Sequence, residues 1–291
     1  MSTASSSTDR TGAADSIDWL GLSRRCVVAQ REIFAAFPDA DTRNVYDGFG
    51  EGGDHTLVID RLCEDVVFAE LDALAAQGLS FTAISEERGT VRFGSSDSAT
   101  VVVIDPIDGS LNARRTLPSH SLAIAVADGP SLDSVSFGFV HDFGAGEDFW
   151  ARRGHGAFLG DHPIAVAPPG GEIFELVGLE SAEPSRIAPI IEGLTGHCYR
   201  LRVVGSIAIT LSWVAAGRLD AMIMARACRS VDAAAAALIC REAGGQVGVE
   251  GIELAAASLG LDARYRVIAA ATGDGLATLR AIQSASSAGS S

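Results

Sequence analysis

The run Thr100-Val101-Val102-Val103-Ile104 leads without a break into Asp105-Pro106-Ile107-Asp108-Gly109-Ser110. A continuous β-branched stretch of this kind is a strand buried on both faces, and it implies a sheet covered by helices. The strand ends on two carboxylates three residues apart. The proline between them fixes the turn, and Gly109 permits close backbone approach. Ser110 is placed to cap a helix that begins there. The loop therefore gathers hard oxygen ligands of the kind Mg²⁺ requires. It sets them beside free backbone N–H groups, which suit a phosphate. Taken alone, the same segment is also an ordinary acidic turn at a strand end.

Strands and helices are expected to alternate on both sides of this loop. Apolar spacing predicts helices over 16–37, stopped by Pro38, and over 58–77, stopped by Gly78. The glycine-rich segment 46–54 between them reads as a flexible loop. Strands are expected at 79–85, 121–127, 135–141 and 148–151, with a turn at 153–158. Ala167-Pro168-Pro169-Gly170-Gly171 is the best internal boundary. Beyond it strands are expected at 174–179, 199–203, 219–224, 246–249 and 266–270. Helices are expected at 184–194, 206–216, 232–243 and from 275. This gives an N-terminal α+β subdomain over 16–166, carrying the metal-binding loops, and a C-terminal α/β subdomain over 172–283. Disordered tails are expected at 1–15 and 284–291.

Composition narrows what such a fold can serve. The chain has 291 residues, 47% apolar and 20% charged, enough for a well-filled core. Its net charge of −15 opposes binding to nucleic acid or to an anionic membrane. No stretch reaches the roughly 20 apolar residues of a membrane span, and 1–15 does not read as a signal peptide. The same charge suits divalent cations, while an anionic substrate would need local arginine or metal charge. The five cysteines are odd in number and widely spaced, without a CxxC pair. That argues against disulfides or a zinc site and for thiols in a reducing cytosol. GxSxG, HExxH and P-loop motifs are absent, and the six histidines are scattered singly.

Three more acidic sites fall at the ends of expected elements. Glu86-Glu87 closes a strand, Asp60 opens a helix after the glycine loop, and Asp232 opens an Ala-rich helix. Each has a bland reading, since acidic pairs are usually solvated and an Asp at a helix start caps it or complements its dipole. Four such sites in one chain are less easily assigned to capping alone.

Together these segments resemble the inositol monophosphatase family, within the lithium-sensitive, Mg²⁺-dependent phosphatase superfamily. The resemblance spans residues 16–280. It rests on residues 103–113 around the Asp105 loop and on 231–245, from Val231-Asp232 to Gly244-Gly245. Ser85-Glu86-Glu87, the Asp54 to Asp60 spacing, the segment 149–158 and Val204-Gly205-Ser206-Ile207-Ala208 add to it. The resemblance implies a layered α-β-α-β-α sandwich, α+β or α/β in class, of the inositol monophosphatase and fructose bisphosphatase type. It implies two or three Mg²⁺ ions. Glu86, Asp105 and the Ile107 carbonyl would hold the first, and Asp105, Asp108 and Asp232 the second. Asp60 would reach a weaker third ion through water. Glu86 and Ser110, with Asp60, would act on the attacking water. Gly109, Ser110, Ser206 and Arg202 would bind the substrate.

The implied activity is hydrolysis of a small sugar or polyol phosphate by a cytoplasmic, lithium-sensitive homodimer. Ala225 stands near where the inositol enzymes place a glutamate for inositol hydroxyls. Arg200, Arg202, Arg226 and Arg229, with Arg114 and Arg115, suit a second phosphate or carboxylate. Fructose-1,6-bisphosphatase is therefore the alternative activity. A non-catalytic relative would be expected to lack a metal ligand, whereas Glu86, Asp105, Asp108, Ser110 and Asp232 are all present.

Overall fold

The structure is a computed structural model that describes residues 17–49, 51, 55–95, 98–181 and 183–288. The expected tail at 1–15, and Asp54, lie outside these residues.

The first half begins with helix α1 (Trp19–Ala36), whose N-terminus is capped by the Asp18 side chain. A short α2 (Ala40–Arg43) leads to β1 (Tyr46–Phe49), β2 (His55–Leu57) and α3 (Val58–Ala76). Of the segment expected to be a loop at 46–54, Tyr46–Phe49 form one arm of a hairpin, with Tyr46 paired to Leu57. The extended residues flanking the glycines find partners in each other. Next come β3 (Phe81–Ser85), β4 (Gly89–Phe93), β5 (Val101–Asp108), α4 (Ser110–Arg114), β6 (Ser121–Ala127), β7 (Val135–Asp142), β8 (Glu147–Arg152), β9 (Ala157–Leu159) and β10 (His162–Ile164). They form an eight-stranded sheet in the order β10-β9-β8-β7-β6-β5-β3-β4. Only β3 and β5 run parallel within it. Strands β4, β9 and β10 escape the sequence reading because they are short and partly exposed at the sheet's edges.

The second half contains β11 (Phe174–Glu180), α5 (Pro184–Leu194), β12 (Cys198–Arg202), α6 (Ile207–Ala215), β13 (Ala221–Met224), α7 (Ser230–Glu242), β14 (Gln246–Val249), β15 (Val267–Ala270) and α8 (Gly273–Ala288). Its five strands form a mixed sheet in the order β12-β11-β13-β15-β14. Residues 284–288, expected in a disordered tail, continue α8, and the Ser286 hydroxyl donates to the Gln283 carbonyl at 2.7 Å. No helix among the described residues is long and apolar enough to cross a membrane.

The elements stack as α-β-α-β-α, the architecture expected. Helices α1 and α3 cover one face of the large sheet through Trp19, Phe68, Leu71, Ile104 and Phe139. Helices α6 and α7 fill the space between the sheets, where Val103, Phe149, Met222 and Leu238 share one core. Helices α5 and α8 close the outer face over Ile190, Ile223, Ile268 and Leu279. Val103 belongs to the middle core, whereas Val102 and Ile104 belong to the outer one. That is why β5 reads as an unbroken apolar run.

The alanines of α7 are needed for this packing. Ala233 to Ala237 are all buried, and the helix lies so close to β7 that a methyl group on Gly138 would stand 2.5 Å from the Ala235 carbonyl oxygen. Neither backbone can yield cheaply. Gly138→Ala is therefore expected to cost about 1–3 kcal/mol by overpacking, measured as a lower Tm; an unchanged Tm would show that α7 is free to move.

Candidate metal centre

Across β5 and β6, Asp105 pairs with Ala123 and Asp108 with Ser121, so β5 carries one residue more than β6 between those pairs. This is a β-bulge. In a regular strand, residues three apart face opposite sides; the extra residue lets both carboxylates serve one end of the sheet. Asp105 Oδ1 accepts the Ile107 N–H at 3.0 Å, which tightens the turn. Gly109 follows at φ 85° and takes the N-cap position of α4, so Ser110 is the first helical residue rather than the expected cap. A side chain at Gly109 would also stand 2.8 Å from the Ser119 carbonyl oxygen.

Asp108 is fixed from the second half of the chain. Its Oδ2 accepts the Ser206 hydroxyl at 2.5 Å and the Ala208 N–H at 2.8 Å, and its Oδ1 the Ile207 N–H at 3.3 Å. It therefore sits on the N-terminus of α6, where the helix dipole favours negative charge. Asp60 and Asp232 share a different device. Each is the third residue of its helix and reaches back to the N-cap N–H, Asp60 to Leu57 at 3.2 Å and Asp232 to Arg229 at 2.9 Å. One oxygen of each thus starts a helix. The other Asp60 oxygen is buried without a hydrogen-bond partner among the described residues.

These elements bring Glu86, Asp105 and Asp232 together, with one carboxylate oxygen of each within 4.8 Å of the others. A cavity of about 130 Å³ is lined by Asp60, Glu86, Glu87, Asp105, Ile107 and Ser110. A larger one of about 630 Å³ has Asp232 and Arg229 in its wall. The Arg229 guanidinium forms an ion pair with Glu86.

Burial sets the electrostatics. It raises the Asp105 carboxyl well above its usual range, with Asp108, Asp232 and Glu86 adding to the effect. Asp232 is pushed up to about 7 by burial, then by Asp108 and Glu86. Asp108 and Asp60 are each raised to about 6 by burial, against the hydrogen bonds they accept. Such crowding of hard oxygen donors, one of them an orphaned buried oxygen, is what a divalent cation relieves. The set fits such a cation.

Of the residues expected at the site, Glu86, Asp105, Asp232, Asp60, Ile107 and Ser110 line the two cavities. Gly109 forms the turn beside them. The Ser206 hydroxyl is committed to Asp108. Arg202 lies on edge strand β12, donates to its neighbour Leu201's carbonyl at 2.9 Å and lines neither cavity. Two residues were given no role at the site by the sequence. Glu87 lines the small cavity, bonds Thr56 and is raised to about 7 by burial. Glu180 ends β11, fully buried, and accepts the N–H groups of Val204 and Gly205 and the Thr210 hydroxyl. It too is raised to about 7 by burial. An acid closing an apolar strand was the available signal for Glu180.

A family model described as the inositol monophosphatase family matches residues 25–284. The chain belongs to the inositol monophosphatase family. It is 32% identical over 79% of its length to a fructose-1,6-bisphosphatase/inositol-1-monophosphatase of Methanothermobacter thermautotrophicus, covering 83% of that protein. It is 30% identical over 67% of its length to an inositol-1-monophosphatase of Mesorhizobium japonicum, covering 72% of it. A solved structure described as an inositol monophosphatase-fructose 1,6 bisphosphatase superposes with a TM-score of 0.79 at 26% identity, over 91% of this chain and 100% of that one. The fold is also that of a Thermotoga maritima IMPase, with a TM-score of 0.73 at 22% identity, over 94% of this chain and 99% of that one. As a member of this family the chain is a phosphoric monoester hydrolase.

The raised carboxyls give a pH signature. Asp232, Glu87 and Glu180 hold their protons up to about 7 when folded, whereas unfolded they release them near their ordinary values. The folded state thus binds more protons between those limits, and stability falls as pH rises through 7. His120, lowered to about 4 by burial, is neutral in both states above its ordinary pKa and does not oppose this. In a chelator, Tm is expected to drop between pH 6.5 and 8, and an excess of Mg²⁺ to abolish the drop. A metal-free Tm that rises over this interval would contradict the assignment.

Proposed function

We propose that the chain is a Mg²⁺-dependent phosphomonoesterase acting on a small sugar or polyol phosphate. The observation that carries this is the convergence of Glu86, Asp105 and Asp232, from three separate segments of the chain, within 4.8 Å. Glu86, Asp105 and the Ile107 carbonyl would hold one ion; Asp105, Asp108 and Asp232 would hold a second, and Asp60 a third. Bound there, divalent cations neutralise phosphoryl charge and lower the pKa of water. The chain's own groups do the positioning. The N–H groups of Gly109, the N-cap of α4, and of Ser110, its first residue, have no acceptor within that helix and would donate to phosphoryl oxygens. Glu86, with Ser110, takes the proton of the attacking water. Asp108 is held in position by its hydrogen bonds to the start of α6.

Several finer features belong to the same reading. Its site draws on both subdomains, 16–166 and 172–283. The free cysteines, four of them buried, agree with a cytoplasmic location. Leu111, Leu117 and Val203 are each about half exposed around the hydrogen bond from Asn112 to the Val204 carbonyl. That apolar surface supports a homodimer. Lithium sensitivity follows from the family resemblance. Fructose 1,6-bisphosphate is the alternative substrate, favoured by the arginines of the larger cavity.

The test is phosphate release with and without MgCl₂ from inositol 1-phosphate, fructose 1,6-bisphosphate, histidinol phosphate and 3′-phosphoadenosine 5′-phosphate. Absence of metal-dependent release from all four would sink the reading. Asp105→Asn removes the bridging charge with little change of shape. It is expected to lower kcat about a hundredfold or more, with an unchanged far-UV circular dichroism spectrum; near-normal turnover would show that the ions sit elsewhere.

A further inference from the structure

Glu64 is a fully buried acid that the chemistry above leaves unused. It lies on α3, four residues after Asp60, so the two acids share one face of that helix. A carboxylate taken out of water needs hydrogen bonds and a counter-charge. Both come from the connection between β3 and β4. Oε1 of Glu64 accepts the Ser85 hydroxyl and, at 3.2 Å, the Arg88 N–H. Oε2 faces the Arg88 guanidinium, whose Nε stands 3.3 Å away.

That connection carries Glu86. Ser85 pairs with Gly89, so Glu86, Glu87 and Arg88 close a hairpin in three residues. Its second arm, β4, is the edge strand of the large sheet, and the turn has no strand beyond it to lean on. Two adjacent carboxylates in so short a turn repel each other. Glu64 grips the residue before this pair and the residue after it. Arg88 is held to α3 twice more, by an ion pair with Asp65 and by its guanidinium, 4.3 Å from the centre of the Phe68 ring. The Glu87 carbonyl accepts the Glu51 N–H at 3.0 Å. The side chains of the acidic pair then part, Glu86 to Arg229 at the N-cap of α7 and Glu87 to Thr56 on β2.

We infer that Glu64 is a positioning residue of the metal centre, which clamps the turn from Ser85 to Arg88 and so holds Glu86 against Asp105 and Asp232. This rests on the metal-dependent reading above. Glu64 lines neither cavity and acts through Glu86. The same helix carries Asp60 one turn earlier, so α3 sets the spacing between the Asp60 carboxylate and the turn of Glu86. Groups that hold a ligand from behind change metal affinity without touching the metal.

The experiment is a calorimetric titration of Mg²⁺ alone into the purified full chain, stripped of metal by a chelator and dialysed, with Tm measured on the same samples. Glu64→Ala is expected to raise the Mg²⁺ dissociation constant about tenfold or more. Glu64→Gln keeps an oxygen for Ser85 and Arg88 and is expected to recover most of that loss. A constant that does not move in Glu64→Ala, whatever its Tm, overturns the role, and so does a glutamine variant as weak as the alanine one. If Glu64→Ala does not fold, Ser85→Ala takes its place, since it removes one donor of the clamp and keeps the buried acid. It is expected to weaken Mg²⁺ binding about threefold, and an unchanged constant there overturns the role. A wild type that binds no Mg²⁺ overturns the metal centre itself, and the role of Glu64 with it. Mg²⁺ binding that is indifferent to Glu64 overturns the positioning role alone.

Discussion

The hydrogen bonds from the start of α6 to Asp108 hold this molecule's chemistry in place. They join the end of β5 in the large sheet to a helix that lies between both sheets. Without them, the bulge at Pro106 and Ile107 would present two carboxylates to no common target. With them, the acidic loop is locked against the segment 204–208. Glu180 braces the same segment from the other side, through Val204, Gly205 and Thr210. Two buried carboxylates thus grip one turn of backbone, and each is tolerated in the interior because it accepts several hydrogen bonds.

The cost of this arrangement is electrostatic. Asp105, Asp108 and Asp232 stand in a region with too little water to solvate them and, apart from Arg229, with little positive charge at hand. Buried charge without a counter-charge is expensive. The chain tolerates it where the fold already supplies helix N-termini, on α3, α6 and α7, and where it can receive cations from solution.

Much of this was legible in the sequence because the decisive signals are local. The β-branched run before Asp105 announces a strand buried on both faces, and the Ala-rich run after Asp232 announces a helix squeezed between layers. The acids Glu86, Asp105 and Asp232 sit at element ends, where a chain normally places acids for caps, so their convergence could be inferred only from the ordered set of motifs. What escaped was set by tertiary partners. The hairpin of β1 and β2 exists because its two arms meet. Glu180 matters because a turn 24 residues later folds onto it. Arg202 and Arg226 are indistinguishable as arginines in a string, and only the sheet order sends one to an edge and the other to a cavity.

Asp60 and Asp232 each close the first turn of a helix with one carboxylate oxygen and also stand at the acidic centre. Their aim is therefore inherited from the helix rather than from a freely rotating side chain. To swing either acid away, the chain must first unwind the turn that it caps. The centre is as rigid as the helix starts that carry it, and it comes into being only when those helices do.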